Sequence, residues 1–72
     1  MTYTVIYEKG PTSWGPYVPD LPSVISVGDS PEEVERLIAE AIQFHLEGMR
    51  DEGQEIHPPS SFAGSVEIQR PA

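Results

Sequence analysis

The sequence predicts an α+β protein in which one long helix packs on a four-stranded mixed sheet, with the element order βββαβ. Three short runs rich in β-branched and aromatic residues lie before position 28. A capping motif and then an apolar stripe at helical spacing follow them, and one more β-branched run lies near the C-terminal end. Because 72 residues suffice for a single domain only, we expect residues 1–72 to form a two-layer sandwich around one core.

The three N-terminal strands are separated by turn-forming residues and are predicted over residues 3–8, 14–18 and 23–27. The second strand contains Pro16, which has no N–H group to give to a sheet ladder. We therefore expect a bulge at Pro16. Residues 19–22 contain two prolines that fix the backbone, which predicts a rigid corner before the third strand.

The helix has the clearest local signal in the sequence. Ser30 can cap it, Pro31 suits the first helical position, and Glu33 completes a capping box. The helix is predicted to run from Pro31 to about Glu52, with Gly53 just beyond its C-cap. Its apolar stripe consists of Val34, Leu37, Ile38, Ala41, Ile42, His45 and Met49.

The fourth strand is predicted over residues 65–70. If the helical crossover makes this strand parallel to its neighbour, the connection should be right-handed. One helix covers only one face of the sheet, yet Val5 and Tyr7 lie on one face of the first strand and Ile6 on the other. We therefore expect self-association through the uncovered face or a sheet edge, most simply as a homodimer.

The charge balance points to the kind of partner. Twelve acidic and four basic residues give a net charge of −8 at pH 7. This excess speaks against direct nucleic-acid binding, which relies on Lys and Arg to neutralise phosphates. It favours a basic protein partner, which an acidic surface attracts. The alternative is that the charge only keeps a small protein soluble.

Other features of the composition exclude several classes of protein. Cysteine is absent, so the chain has neither a disulfide framework nor a thiol nucleophile. No apolar run approaches the roughly 20 residues of a membrane span, and the N-terminus does not resemble a signal peptide. We therefore expect a cytoplasmic protein. Asparagine is also absent, and this absence together with the abundant Glu is typical of thermophilic proteins.

Residues that could carry catalysis do not form a recognised pattern. Asp20 and Asp29 lie near strand ends and Glu8 ends a strand, and carboxylates of this kind hold Mg²⁺ in proteins. In a chain with twelve acidic residues, however, some are neighbours by chance. His45 and His57 are twelve positions apart, which is not a recognised ligand spacing. We predict no catalytic, cofactor or metal site and no enzyme activity, and keep a small metal-dependent nucleic-acid hydrolase as an alternative.

The residues predicted to contact a partner combine aromatic anchors with carboxylates. Trp14, Tyr17 and Asp20 lie along the second strand and its corner, and Glu47 lies on the polar side of the helix. Trp and Tyr dominate interface hot spots, and a carboxylate can pair with Arg or Lys. The alternative is that the aromatic residues cover the small core.

Four motifs taken in series resemble the HicB-like antitoxin family. They are the Pro-Asp-Leu-Pro corner at residues 19–22, the Gly-Asp-Ser-Pro-Glu-Glu helix start at 28–33, Glu-Ala-Ile at 40–42 and Leu-Glu at 46–47. The resemblance extends over residues 1 to about 70. Ser23 stands where the family usually has Gly.

The resemblance implies a partial RNase H-like fold with strand order 3-2-1-4. It also implies an antitoxin that self-associates and blocks a HicA-like toxin, a small basic protein that cleaves RNA. Many family members carry a C-terminal DNA-binding domain, which these 72 residues do not include, so we do not expect operator binding. A solitary self-associating domain without a toxin is the remaining alternative.

Overall fold

A computed structural model describes residues 1–71 and contains three strands followed by one helix. The strands are β1 (Ile6–Lys9), β2 (Trp14–Val18) and β3 (Leu21–Ile25), and the helix is α1 (Pro31–Asp51). The sheet is antiparallel in the order β1-β2-β3, so β2 is its central strand. Because α1 packs against β2 and β3, the described chain has two layers, with one sheet face covered and one uncovered.

The pairing around the central strand is regular on one side and irregular on the other. Between β1 and β2 the register is continuous, with Tyr7 opposite Pro16. Between β2 and β3 the register shifts between Tyr17 and Val18. The irregularity expected at the proline thus lies one residue beyond it. The carbonyl of Pro16 still accepts a hydrogen bond of 3.3 Å from the N–H of Ser26.

The helix begins at its predicted position because the cap residues satisfy its first free N–H groups. The hydroxyl of Ser30 accepts a hydrogen bond of 3.2 Å from the N–H of Glu33. The Glu33 carboxylate in turn accepts one of 3.2 Å from the N–H of Asp29, one residue before the cap. At the other end, Gly53 has a φ of 72°, which is the left-handed conformation that favours glycine after a helix.

The core lies between α1 and the two strands that it covers. Val18 and Val24 from the sheet and Ile38 from the helix are buried together, and Val34 and Pro16 are also fully buried. Partly buried residues surround this cluster: Tyr3, Val5, Leu21, Ala41 and Ile42. The alternation of side chains along β2 explains which of its residues are buried, because Pro16 and Val18 point to the helix while Tyr17 points away from it.

The predicted four-stranded mixed sheet is wrong, because the sheet within the described chain has three strands and is antiparallel throughout. The strand order 3-2-1-4 is wrong in its fourth strand, since the described sheet has the order β3-β2-β1. The right-handed crossover was conditional on a parallel fourth strand and does not arise, and this three-stranded sheet does not support the RNase H-like fold. Residues 65–70 have a strand-like sequence but pair with no strand. Val66 is 81% exposed and Ile68 is 78% exposed. A strand needs hydrogen-bond partners for its backbone as well as alternating polar and apolar residues. The alternation in residues 65–70 does not by itself provide a neighbouring strand.

The strand boundaries also differ from the prediction at two places. Residues 3–5 precede β1, and β3 begins at Leu21 and ends at Ile25. Beyond β3, Gly28 forms an isolated bridge with Trp14. The turn at residues 19–20 therefore joins β2 directly to β3, and the corner predicted at residues 19–22 is partly strand.

Candidate interaction surfaces

The face of the sheet opposite α1 is uncovered and carries apolar side chains. Tyr17 stands opposite both Ile6 and Ile25 in the sheet register, so these three residues share a face. Val27 follows on the same side by alternation, since the neighbouring Gly28 lies against Val34 of the helix. Ile25 is 67% exposed and Val27 is 66% exposed. We name this patch of Ile6, Tyr17, Ile25 and Val27 the outer sheet face.

Carboxylates border the outer sheet face. Glu8 is exposed and lies two residues after Ile6 on the same strand face, and Asp29 is exposed just beyond β3. An apolar centre with an aromatic residue and a charged rim is the composition of protein-binding patches. The outer sheet face therefore has the chemistry of an interaction surface for a partner that carries positive charge.

The two predicted aromatic anchors lie on opposite faces of the sheet. Tyr17 belongs to the outer sheet face, whereas Trp14, three positions earlier on β2, lies on the side of the helix. Trp14 is half-buried, and the Nζ atom of Lys9 lies 5.9 Å from the centroid of its ring. Two backbone hydrogen bonds of 2.8 and 3.1 Å also join it to Gly28. A single flat partner surface cannot contact both aromatic rings, a limit that strand alternation already implies.

The carboxylate of Asp20 is held within the chain. Its Oδ2 atom accepts hydrogen bonds of 3.1 Å from the N–H groups of both Ser60 and Ser61. Its Oδ1 atom accepts from their hydroxyl groups, at 3.1 Å from Ser60 and 2.8 Å from Ser61. We name this set of bonds the Asp20 clasp. It joins the turn between β2 and β3 to a segment forty residues away, and nothing in the sequence indicated this pairing.

The Asp20 clasp lowers the pKa of the Asp20 carboxyl below its ordinary value of 3.8. The backbone N–H of Ser61 contributes most, followed by the Ser61 hydroxyl and then by the two groups of Ser60, while partial desolvation opposes them. Hydrogen bonds to the charged form favour that form. Asp20 therefore joins the turn after β2 to residues 60–61 in its charged form.

Glu47 lies on the other layer of the molecule, on the exposed side of α1. It accepts a hydrogen bond of 3.4 Å from the Nε2 atom of Gln43. Other exposed carboxylates of the helix are Glu32, Glu35, Glu40 and Asp51. One of them, Glu40, pairs with Arg36 at 3.5 Å, but both side chains are more than 60% exposed, so the pair contributes little to stability. Glu47 thus belongs to an acidic helix surface that is separate from the outer sheet face.

A groove that sequence reasoning missed runs between α1 and the N-terminal segment. It has a volume of about 610 Å³. We name it the Tyr3 groove, and its apolar lining is formed by Tyr3, Ala39, Ile42, Leu46 and Ile56. Glu47 and Arg50 also line it. Part of this groove could be predicted from the sequence, because Ile42 and Leu46 lie at one edge of the apolar helical stripe. Their neighbour Ile56 could not, because it lies in the irregular segment after α1.

Two further properties of the described residues bear on function. Among residues 1–71, no three His, Cys, Asp or Glu side chains lie close enough together to hold a metal ion. The helix in this part of the chain lacks the run of apolar residues that crossing a membrane requires.

Comparison with known proteins gives one family. A family model described as "HicB_like antitoxin of bacterial toxin-antitoxin system" matches residues 3–70. The chain is also 38% identical over 56 residues to an "Uncharacterized 14.9 kDa protein in rep-hol intergenic region" of Haemophilus phage HP1 (strain HP1c1). That alignment covers 78% of this chain and 42% of the phage protein, so the chain spans less than half of its relative's length. No solved structure matches the chain.

Proposed function

Since the chain belongs to the HicB-like antitoxin family of bacterial toxin-antitoxin systems, we propose that it binds and neutralises a small, basic, RNA-cleaving toxin of the HicA kind. Its role is to bind and not to catalyse, and it acts in the cytoplasm, where the toxin meets RNA. Direct contact with nucleic acid is not part of this role.

The observation that carries the proposal is the combination of family and charge. The chain has a net charge of −8, and its carboxylates are exposed on the helix surface and at the rim of the outer sheet face. A protein that binds RNA must present Lys and Arg to phosphates. An acidic protein is attracted to the same positive surface and can compete with RNA for it.

The contact surface that we propose is the outer sheet face. It combines exposed aliphatic side chains with an aromatic residue, Tyr17, and its rim carboxylates suit a basic partner. Trp14 lies on the other side of the sheet and Asp20 is engaged in its clasp, so both act indirectly, by holding β2 and its corner in place. Glu47 contributes by attracting the toxin over a distance rather than by contact.

A titration against the basic, RNA-cleaving protein encoded beside this chain's gene tests the surface. We expect Tyr17→Ala to weaken the complex at least about tenfold, as loss of an interface anchor does. Phe44→Ala is the control, because Phe44 is also an exposed aromatic residue but lies on α1, on the opposite side of the sheet from the outer sheet face. Equal affinity of Tyr17→Ala and the unmodified chain would place the toxin elsewhere. Absence of any complex would contradict the antitoxin role.

A cleavage assay tests the non-enzymatic role. We expect the purified chain to leave RNA, DNA and an RNA–DNA hybrid intact in the presence of Mg²⁺ or Mn²⁺. Cleavage that depends on the metal and is lost in Asp20→Asn would contradict the proposal and favour a hydrolase, the alternative raised by the carboxylates near the strand ends.

We also propose that the chain forms a homodimer. At this size a single core leaves little stability without disulfides or a metal, and this chain contains no Cys. Apolar side chains remain exposed on more than one surface, which a second copy would cover.

A further inference from the structure

Residues 62–71 extend away from the rest of the molecule. Phe62 is 90% exposed, Val66 81% and Ile68 78%, and this segment makes no hydrogen bond to the rest of the described chain. The Cα radius of gyration is 14.8 Å, against about 11 Å for a compact domain of this length. The longest dimension is 55 Å, while the 21 residues of α1 account for only about 32 Å.

The sequence of this segment alternates as a half-buried strand does. Polar and apolar residues alternate strictly over residues 65–69, and Phe62 is in phase with Val66 and Ile68, whereas Ala63 and Arg70 do not follow the alternation. In an extended backbone one face is therefore apolar and the other polar. Since neither the backbone nor the apolar face has a partner in the described chain, the segment has the pattern of a strand without the sheet.

The sheet has a free edge that could supply the missing pairing. Among the strands of residues 1–71, β1 pairs with β2 alone, so no strand covers the N–H and C=O groups along its other edge. Such an edge is a template for a strand from another chain. The free edge of β3 is less suitable, because Pro22 lies within that strand and donates no hydrogen bond.

An apolar groove lies beside this free edge. α1 packs over β2 and β3, which leaves β1 poorly covered on the helix side, where Tyr7 is 41% exposed. The Tyr3 groove connects to this edge through Tyr3, three residues before β1, and its other apolar lining includes Ile42, Leu46 and Ile56. A strand added to the β1 edge would direct every second side chain toward this groove.

We propose that residues 62–71 of one copy pair with the β1 edge of a second copy and place Phe62, Val66 and Ile68 against the second copy's Tyr3 groove. The exchange is reciprocal, so the two copies form a closed dimer. Within one chain the Asp20 clasp and a hydrogen bond of 2.9 Å from the Thr4 hydroxyl to the carbonyl of Ser61 hold the base of the segment. The residues after Ser61 then leave the body of their own chain.

This inference rests on the homodimer proposed above and not on the toxin. Light scattering at micromolar concentration tests it, with the double variant Val66→Glu/Ile68→Glu. We expect the unmodified chain to have twice the 7.9 kDa monomer mass and the double variant to have the monomer mass. Both positions are largely exposed within one chain, so circular dichroism should show the same helix content in the two proteins.

Two matched controls separate this contact from other interfaces. Phe44→Glu removes an apolar residue that is 80% exposed on α1, and Ile25→Glu alters the outer sheet face. We expect both variants to remain dimers. A dimer that persists in the double variant, or that is lost only in Ile25→Glu, would overturn strand exchange, and so would an unmodified chain that is monomeric.

Cross-linking supplies a second measurement that does not depend on the stability of a variant. The chain has no Cys, so engineered cysteines react without background. Under oxidation, a mixture of Tyr7→Cys and Ile68→Cys proteins should form a mixed disulfide dimer. A mixture of Phe44→Cys and Ile68→Cys proteins should form little. The double variant Val66→Glu/Ile68→Glu should still bind the toxin, so that loss of the dimer and failure of the antitoxin role give different results.

Discussion

At the scale of single residues, the two strongest local constraints are a carboxylate and a glycine. Asp20 connects the turn after β2 to the segment after α1 through four hydrogen bonds. Gly28 lets the chain after β3 pass close to the helix, where an added Cβ atom would lie 2.7 Å from Cγ1 of Val34. Neither residue is part of a repeating pattern, so each acts through its own neighbours.

The Asp20 clasp predicts a dependence of stability on pH. The pKa of Asp20 is lowered in the folded chain, mainly by the hydrogen bond from the Ser61 backbone. The stabilisation is therefore present above the ordinary pKa of 3.8, which applies to the unfolded chain, and is lost as the pH falls through the lower folded pKa. We expect the free energy of unfolding, measured by urea denaturation, to fall over this acidic range less steeply in Asp20→Asn. Asp51→Asn, at an exposed helix position, is the control and should keep the steeper dependence.

The close contact at Gly28 predicts opposite effects at two glycines. Gly28→Ala should lower the melting temperature, because the new methyl group would meet Val34, which is buried and cannot move aside. Gly48→Ala should raise it, since Gly48 lies within α1 and, apart from its chain neighbours and the backbone of the helix itself, no atom of the described residues lies within 4 Å of its Cβ position. Alanine is more favourable than glycine inside a helix by about 1 kcal/mol. A thermal melt of both variants checks the two signs, and a stabilised Gly28→Ala would contradict the packing described here.

At the scale of secondary-structure elements, the bounds of the helix are set by the residues at its own ends, whereas the bounds of each strand are set by the strands beside it. α1 starts at Pro31, as predicted, and ends at Asp51, within one residue of the prediction. Its cap and its first turn lie within four residues of sequence. β1 and β3 have different boundaries from those predicted, because the extent of a strand is set by the backbone across from it. β2 matched its prediction and is the strand with a neighbour on each side.

The cap at Ser30 predicts a measurable contribution of this single hydroxyl to stability. Ser30→Ala removes the hydrogen bond to the N–H of Glu33 and should reduce the free energy of unfolding by about 1 kcal/mol. Ser30→Asp retains an oxygen acceptor at the same position and should keep most of this free energy of unfolding. Chemical denaturation of the three proteins measures the difference, and equal losses in the two variants would show that the cap is not responsible.

At the scale of the whole molecule, surfaces of different chemistry lie on different sides. The outer sheet face is apolar at its centre, the exposed side of α1 is acidic, and residues 62–71 carry apolar side chains away from the body. These surfaces can serve separate partners at the same time. We propose that the toxin binds the outer sheet face, that the acidic side of α1 attracts the toxin, and that a second copy of the chain binds residues 62–71.

The net charge of −8 predicts a salt-dependent approach of the basic toxin. We expect the association rate to fall as ionic strength rises, because exposed charges are screened. Glu47→Gln should slow association and weaken its salt dependence while leaving dissociation nearly unchanged. Tyr17→Ala should instead speed dissociation. Stopped-flow association at low and high salt distinguishes the two, and an association rate that does not respond to salt would contradict electrostatic attraction.

The sequence by itself determined the helix with its Ser30 cap, the central strand, the uncovered apolar sheet face and the resemblance to the antitoxin family. Periodicity and local hydrogen bonds involve residues that are close in sequence, and composition is a property of the whole chain, so all three can be read without the tertiary structure. Only the tertiary structure decided that residues 65–70 pair with no strand of the described chain, that Asp20 is engaged by Ser60 and Ser61, and that Trp14 lies on the face covered by the helix while Tyr17 lies on the uncovered face. The physical reason is that pairing and burial depend on residues far apart in sequence, and alternation fixes the two faces of a strand without saying what each face or edge meets.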